Sequence, residues 1–310
     1  VYLYAGEALA RYGFGNDHPL GPDRFGAFWQ AFLHSGLQDR IEIREPVAGQ
    51  REDALLFHCQ THVERVRALS SKGTGMLDMD TPAFPGVYEA ALVVVGTVLE
   101  AVQQIMAGNT AQAFIPIAGL HHASRTASAG FCVFNDCGIA IEALRQRHQI
   151  QRILYVDIDA HHADGVFYGF IEDPDLLFVD VHEDGRYLYP GTGRADETGN
   201  GPAVGSKLNI PLPPGADDDL FFENWTRIEA FLQRQDPEFI ILQCGADSLA
   251  GDPLTHMQFS DRVHRHTATY LRNYANKCCH GRLLALGGGG YNRTNLARAW
   301  LTVVEALCDR

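Results

Sequence analysis

This sequence predicts an α/β fold in which a mostly parallel central sheet is flanked by helices. Three observations predict it. Short apolar runs alternate with longer segments of helical periodicity. Several of the short runs are apolar at nearly every position, as strands covered on both faces must be. The clusters of acid, histidine and glycine come just after those runs, where the carboxyl ends of parallel strands hold ligands.

The strands are expected at Ala113–Ala118, Arg152–Asp157, Leu176–His182, Lys207–Pro211, Phe239–Gln243 and Leu283–Leu286. Between them, helices are expected at Asn135–His148, Asp218–Arg234 and Ser260–Cys278, the last with Ser260 as its N-cap. Thr294–Leu307 sets Leu296, Trp300, Val303 and Leu307 on one helical face. Val87–Met106 is apolar almost all round, which predicts a buried helix.

A chain of 310 residues forms one large domain or two modest ones. No internal repeat, low-complexity tract or long linker divides it, so a single domain over residues 1–310 is expected. Hydrophobic residues make up 46% and charged residues 20%, ordinary globular usage that excludes a disordered chain. The formal net charge is −13 and no block of Lys and Arg appears, which argues against binding a nucleic-acid backbone. No apolar run approaches the roughly 20 residues that span a bilayer, so no membrane partner is expected. The opening Val1-Tyr2-Leu3-Tyr4 is soon interrupted by Glu7 and Arg11, unlike a signal peptide, and the missing initiator Met predicts a trimmed chain. Seven scattered cysteines without a Cys-x-x-Cys predict a reducing, cytoplasmic setting. Composition leaves the oligomeric state open.

Five segments carry chemistry. In Ile153-Leu-Tyr-Val-Asp157-Ile-Asp159-Ala-His161-His162-Ala-Asp164, period-two alternation sends Asp157, Asp159 and His161 to one side if the strand continues. Buried carboxylates left unpaired cost several kcal/mol, which a divalent metal or histidine partners would offset. Asp and His at i, i+2 suit Zn²⁺, although a structural carboxylate network fits the same residue types. His121-His122 follows a strand and reads as two metal ligands, as an acid/base pair held by carboxylates, or as plain loop polarity. Asp247, in Gly245-Ala-Asp247-Ser, is a third candidate ligand or a turn former. Gly287–Gly290 before Tyr291 lets the backbone pass close to something and aims a hydroxyl at a reacting oxygen. Gly130-Phe131-Cys132 and Tyr187–Gly193 each present an aromatic, and two facing aromatics wall a slot for an aliphatic chain.

Together these residues resemble the histone deacetylase family, of the arginase-deacetylase fold, and within it the bacterial acetoin-utilisation branch. The resemblance runs from Tyr12–Pro19 to Asn295–Trp300. It rests on His-His-Ala at 121, Gly-Phe-Cys at 130, Phe-Asn-Asp at 134, Tyr-Val-Asp-Ile-Asp-Ala-His-His at 155, Pro-Gly-Thr-Gly at 190, Gly-Ala-Asp-Ser-Leu-Ala-Gly-Asp-Pro at 245 and Gly-Gly-Gly-Gly-Tyr at 287.

The resemblance implies a zinc-dependent deacetylase acting on an acetylated lysine side chain or a small acetylated amine. It implies Asp159, His161 and Asp247 as zinc ligands, with Asp157 the partner of His121 and Asp164 the partner of His122. His122 would move the water proton, His121 would act electrostatically, and Tyr291 would bond the substrate carbonyl. Phe131 and Tyr189 match tunnel walls, the Gly130 carbonyl an acceptor for the substrate amide, and Arg24 an arginine beneath the site. Gly289, Leu254 and Glu89 complete the implied substrate contacts. A structural potassium ion is implied near Asp157, Asp159, His161, Asp180 and Val181. Tyr189 stands where phenylalanine is usual, Leu120 where many eukaryotic members carry tryptophan, and Glu89 where many have a rim aspartate. Leu254 matches a rim position that is acidic in the polyamine-specific eukaryotic members, so acyl-lysine is expected to be preferred over acetylpolyamine, unless Asp80, Glu89 or Asp184 supplies a rim charge from another loop. Two rival readings are a two-manganese ureohydrolase on the same fold and a non-catalytic acyl-group reader. The first needs a second carboxylate-rich site, and the second predicts a lost ligand, His or Tyr.

Overall fold

The structure is a computed structural model that describes residues 1–15 and 17–309. Asn16, within the Tyr12–Pro19 motif, and Arg310 lie outside the described residues. The chain opens with β1 (Tyr2–Tyr4), α1 (Glu7–Ala10), α2 (Asp23–His34), β2 (Glu42–Arg44), α3 (Arg51–Ala54) and α4 (Gln60–Lys72). A small hairpin, β3 (Met76–Asp78) and β4 (Thr81–Pro82), precedes α5 (Val87–Met106). Then come β5 (Gln112–Ile115), α6 (Asp136–His148), β6 (Ile153–Asp157), α7 (Asp164–Gly169), β7 (Leu176–Glu183) and β8 (Lys207–Leu212). The chain closes with α8 (Asp218–Leu232), β9 (Phe239–Gln243), α9 (Asp261–Cys278), β10 (Leu283–Leu286) and α10 (Arg293–Cys308).

Eight strands form one sheet in the order β2-β1-β5-β10-β9-β6-β7-β8, and every adjacent pair is parallel. The five residues of β6 and of β9 are all buried, as helices on both faces require. One helical group is α10 with α2 and α9; the other is α5 with α3, α4 and α6. The expected α/β architecture is therefore present.

The differences from expectation have local causes. β5 stops at Ile115 because Pro116 has no N–H to continue the ladder. β8 instead runs through Pro211 to Leu212, which an edge strand tolerates. β1 and β2 have three residues each, too few to show a period, so neither is legible in the sequence. The caps are where polarity suggests: Asn135 accepts from the Gly138 N–H and Ser260 from the Arg262 N–H. By length and composition α5 is apolar enough to cross a membrane, contrary to the sequence reading, but 67% of its most apolar window is buried in the fold.

Trp300 ties the core to the site. It is fully buried on α10 against Phe28 and Phe114, and its indole N–H donates to the Gly287 carbonyl at 2.7 Å. The residue that anchors the last helix thus fixes the start of the glycine run.

Candidate active site

Four neighbouring strands, β5-β10-β9-β6, end in the loops that carry the predicted chemistry. His121 and His122 follow β5, Tyr291 follows β10, Asp247 follows β9, and Asp159 and His161 follow β6. Parallel strands release their loops at one edge, so residues distant in sequence meet there.

β6 ends at Asp157, so the extended alternation expected through His161 does not continue. Asp157 Oδ1 accepts the Asp159 N–H at 2.9 Å, and Asp159 Oδ1 accepts the His161 N–H at 3.0 Å. These successive side-chain turns divide the motif into two subsites.

In the first, Asp157 Oδ2 lies 2.8 Å from His121 Nδ1, and Asp164 Oδ1 lies 2.7 Å from His122 Nδ1. The two Nε2 atoms face each other at 3.1 Å. Two bare lone pairs at that distance would repel, so a proton lies between the two nitrogens. Burial, then the neighbouring His121, lowers the His122 pKa against the pull of Asp164. The turn is held from behind. Asn135 Nδ2 donates to the His121 and Ala123 carbonyls at 3.1 and 2.9 Å, and Asp136 accepts the Gly119 and Leu120 N–H groups. This gives the Phe-Asn-Asp motif its physical role.

In the second subsite, His161 Nδ1 is 3.1 Å from Asp159 Oδ1 and 3.1 Å from Asp247 Oδ2. One donor atom from each residue lies within 4.8 Å of the others, and all three residues are buried. Burial and then Asp159 push the Asp247 carboxyl up to about 7, with His161 opposing. Burial would also raise Asp159, but His121 and His161 hold it well below the ordinary carboxylate range. Burial lowers His161, yet its bonds to Asp159 and Asp247 outweigh that and raise it well above normal. Two buried carboxylates thus compete for one imidazole proton, the situation a dication in the same place relieves. Two carboxylate oxygens and one imidazole nitrogen suit Zn²⁺. The backbone of the glycine run closes over them: the Gly289 N–H donates to Asp159 Oδ2 at 2.8 Å, and a Cβ at Gly289 would overlap the carboxylates of Asp247 and Asp159.

A cavity of about 220 Å³ leads to these groups, with Gly130, Phe131, Tyr189, Leu254 and Tyr291 in its wall. The Tyr291 ring meets Phe131 edge-on at 5.8 Å, and Tyr189 meets His122 at 5.1 Å. Burial, then Asp247 and Asp159, raises the Tyr291 pKa well above its usual value. Arg24 is buried beneath, donating to the Gly290 and Gly288 carbonyls at 2.9 and 2.6 Å. Asp180 pairs across the ladder with Asp157, bonds His182 at 2.7 Å and accepts the Ala163 N–H at 2.8 Å; Val181 is the next residue of β7.

One expected contact is corrected. Glu89 sits in the first turn of α5, where it accepts from Ser70 at 3.1 Å, and the carboxylate lining the mouth is Asp80 instead. Asp80 is one of the three rim charges that the sequence offers, and the tertiary structure selects it. Two residues were missed. Gln243 donates to Asp159 Oδ2 at 2.9 Å, and Asp252 accepts the Tyr291 N–H at 2.7 Å. A glutamine closing the apolar run Phe239-Ile-Ile-Leu was the clue to the first.

Residues 18–307 match the Histone deacetylase domain. Acetoin utilization protein AcuC of Bacillus subtilis is 33% identical, over 98% of this chain and 80% of the relative. Histone deacetylase clr6 of Schizosaccharomyces pombe is 31% identical, over 97% and 75%. The histone deacetylase-like amidohydrolase of Pseudomonas aeruginosa is 33% identical, over 88% and 72%. The crystal structure of the HDA15 HD domain superposes with a TM-score of 0.90 over 99% of this chain and 88% of that one; at 24% identity it speaks to the fold alone. With that fold, and with histidine couples and a buried acid–histidine triad at one sheet edge, the chain belongs to the histone deacetylase family of hydrolases.

Proposed function

We propose that this protein is a zinc-dependent deacylase, a single catalytic domain over residues 1–310, that hydrolyses the amide of acetyl-lysine to free amine and acetate. The observation that carries the proposal is the placing of the coupled His121–His122 pair beside the Asp159–His161–Asp247 triad at the base of an aromatic-walled cavity. Asp159, His161 and Asp247 would hold the ion. Bound there, Zn²⁺ supplies a Lewis acid for the acyl oxygen and renders water acidic near neutral pH.

The chain's own groups do the rest. His122 Nε2 takes the proton of the attacking water and returns it to the departing amine nitrogen; its lowered pKa keeps it free to accept. Asp164 fixes the His122 ring, and Asp157 that of His121. The Tyr291 hydroxyl stays protonated and donates to the oxyanion. Phe131 and Tyr189 enclose the lysine stem, and the Gly130 carbonyl accepts the substrate N–H. Leu254 gives the mouth an apolar contact, which suits a lysine stem or peptide. Asp80 in the same mouth supports a second reading, an acetylpolyamine or other small acetylated cation as substrate.

The proposal extends to a potassium ion among Asp157, Asp159, His161, Asp180 and Val181. Asp157 and Asp180 are both fully buried, and burial, then Asp180 and Asp159, pushes the Asp157 carboxyl up, as excess negative charge would. A reducing, cytoplasmic setting suits seven unpaired cysteines. The test is a panel of acyl-lysine peptides and acetylpolyamines, assayed with the apoprotein and after adding zinc. Zinc-dependent release of acetate supports the reading; no hydrolysis of any substrate overturns it.

A further inference from the structure

Phe131 forms one wall of the cavity, yet its backbone sits at φ +66°, in the left-handed region that bulky side chains avoid. Gly130 precedes it at φ +52°, packed so closely that a Cβ would press on the His122 ring. Such a conformation persists only where neighbours over-determine it, and here both polar backbone groups of Phe131 are claimed by side chains from elsewhere. Its N–H donates to Thr81 Oγ1 at 3.0 Å. Its carbonyl accepts from the Tyr12 hydroxyl at 2.8 Å, and the same hydroxyl accepts the Val133 N–H at 2.9 Å. Tyr12 is 2% exposed and Thr81 fully buried, so water cannot stand in for either. The ring itself is caught between His18 at 4.5 Å and Tyr291 at 5.8 Å.

We propose that Tyr12 and Thr81 are positioning residues that set the bore of the substrate channel by clamping Phe131 in its left-handed conformation. Among the described residues neither makes a hydrogen bond to the histidine pair or the acid–histidine triad, and the one other side-chain bond of Thr81 goes to Asp80 Oδ1 at 3.0 Å, at the cavity mouth, so the clamp acts on what fills the channel and not on the chemistry at its base. Without the clamp, Phe131 relaxes toward ordinary backbone angles and its ring leaves the wall. This inference rests on the deacylase reading above.

The experiment uses Tyr12→Phe, which removes only the hydroxyl, and Thr81→Val, which is nearly isosteric. Both are compared with wild type on an acetyl-lysine peptide and with two inhibitors. Acetohydroxamate reaches the base of the channel without filling it; an aliphatic hydroxamate with an aromatic tail fills it. A left-handed non-glycine residue is disfavoured by a factor on the order of ten or more. We therefore expect KM and the long hydroxamate's inhibition constant each to rise about tenfold in either variant, with kcat and acetohydroxamate inhibition within about threefold of wild type. An unchanged constant for the long inhibitor overturns the proposal, and so does an equal loss for both inhibitors or a fall in kcat with KM unchanged. If Tyr12→Phe does not fold, Thr81→Val decides alone. A wild type that neither hydrolyses the peptide nor binds either hydroxamate counts against the deacylase reading instead.

Discussion

His58 is 3% exposed, and its Nε2 accepts the N–H of Asn135 at 2.8 Å, so the ring is neutral with its proton on Nδ1. Protonation would place two N–H donors face to face. Burial, with the adjacent His62, therefore pushes its pKa from 6.5 down to about 3. In the unfolded chain the ring takes up a proton near pH 6.5; in the folded chain it does not until about pH 3. The unfolded state thus binds more protons between those values, so stability is complete above pH 6.5 and is lost as pH falls toward 3. At pH 5 the unfolded ring is about 97% protonated and the folded ring about 1%, which removes ~2 kcal/mol relative to pH 7. His264, pushed down to about 4 chiefly by burial, adds a similar loss over the same interval. Asn135 also caps α6 and holds the His121 carbonyl, so the loss begins next to the active site. The assay is urea unfolding at pH 7, 6 and 5 for wild type and His58→Gln, whose amide oxygen can still accept the Asn135 N–H. The variant should retain ~2 kcal/mol more of its pH 7 stability at pH 5. An identical pH dependence in the two proteins refutes the assignment of the proton to His58.

Three other outcomes follow from the site. Tyr291→Phe should lower kcat by on the order of 10²–10³ with little change in substrate affinity, read from steady-state kinetics; a nearly wild-type kcat removes Tyr291 from the mechanism. Asp247→Ala should lose metal and activity while circular dichroism shows the fold intact, and stoichiometric zinc by elemental analysis in that variant contradicts the ligand set. Leu254→Glu should shift the ratio of kcat/KM from an acetyl-lysine peptide toward acetylspermidine by about tenfold or more, since a half-buried ion pair at the mouth matters by a few kcal/mol. A ratio that does not move, or a wild type that already favours acetylspermidine, defeats that account of the rim.

The sequence by itself determined the layers and most of the chemistry. Runs such as Phe239-Ile-Ile-Leu-Gln243 are apolar on both sides because both faces of their strand are covered, and that requirement is local. The Asp157-x-Asp159-x-His161 spacing was equally visible, because adjacent carboxylates at a buried strand end need a partner whatever the rest of the fold does. The family resemblance named the partner of each, and the tertiary structure supplies the physical reason for the pairing. The strand order β5-β10-β9-β6 brings Asp247 to His161, and the turns after Asp157 send that carboxylate to His121 instead. Tertiary structure alone decided that Asp80 and not Glu89 reaches the mouth, since the hairpin carrying Asp80 has strands too short to show a register. Tyr12, Thr81 and His58 lay beyond sequence reasoning for the same physical reason. Each acts through hydrogen bonds to the backbone of a segment 50 to 121 residues away, two for Tyr12 and one each for Thr81 and His58, and a bond to backbone leaves no mark on the residue types at either end.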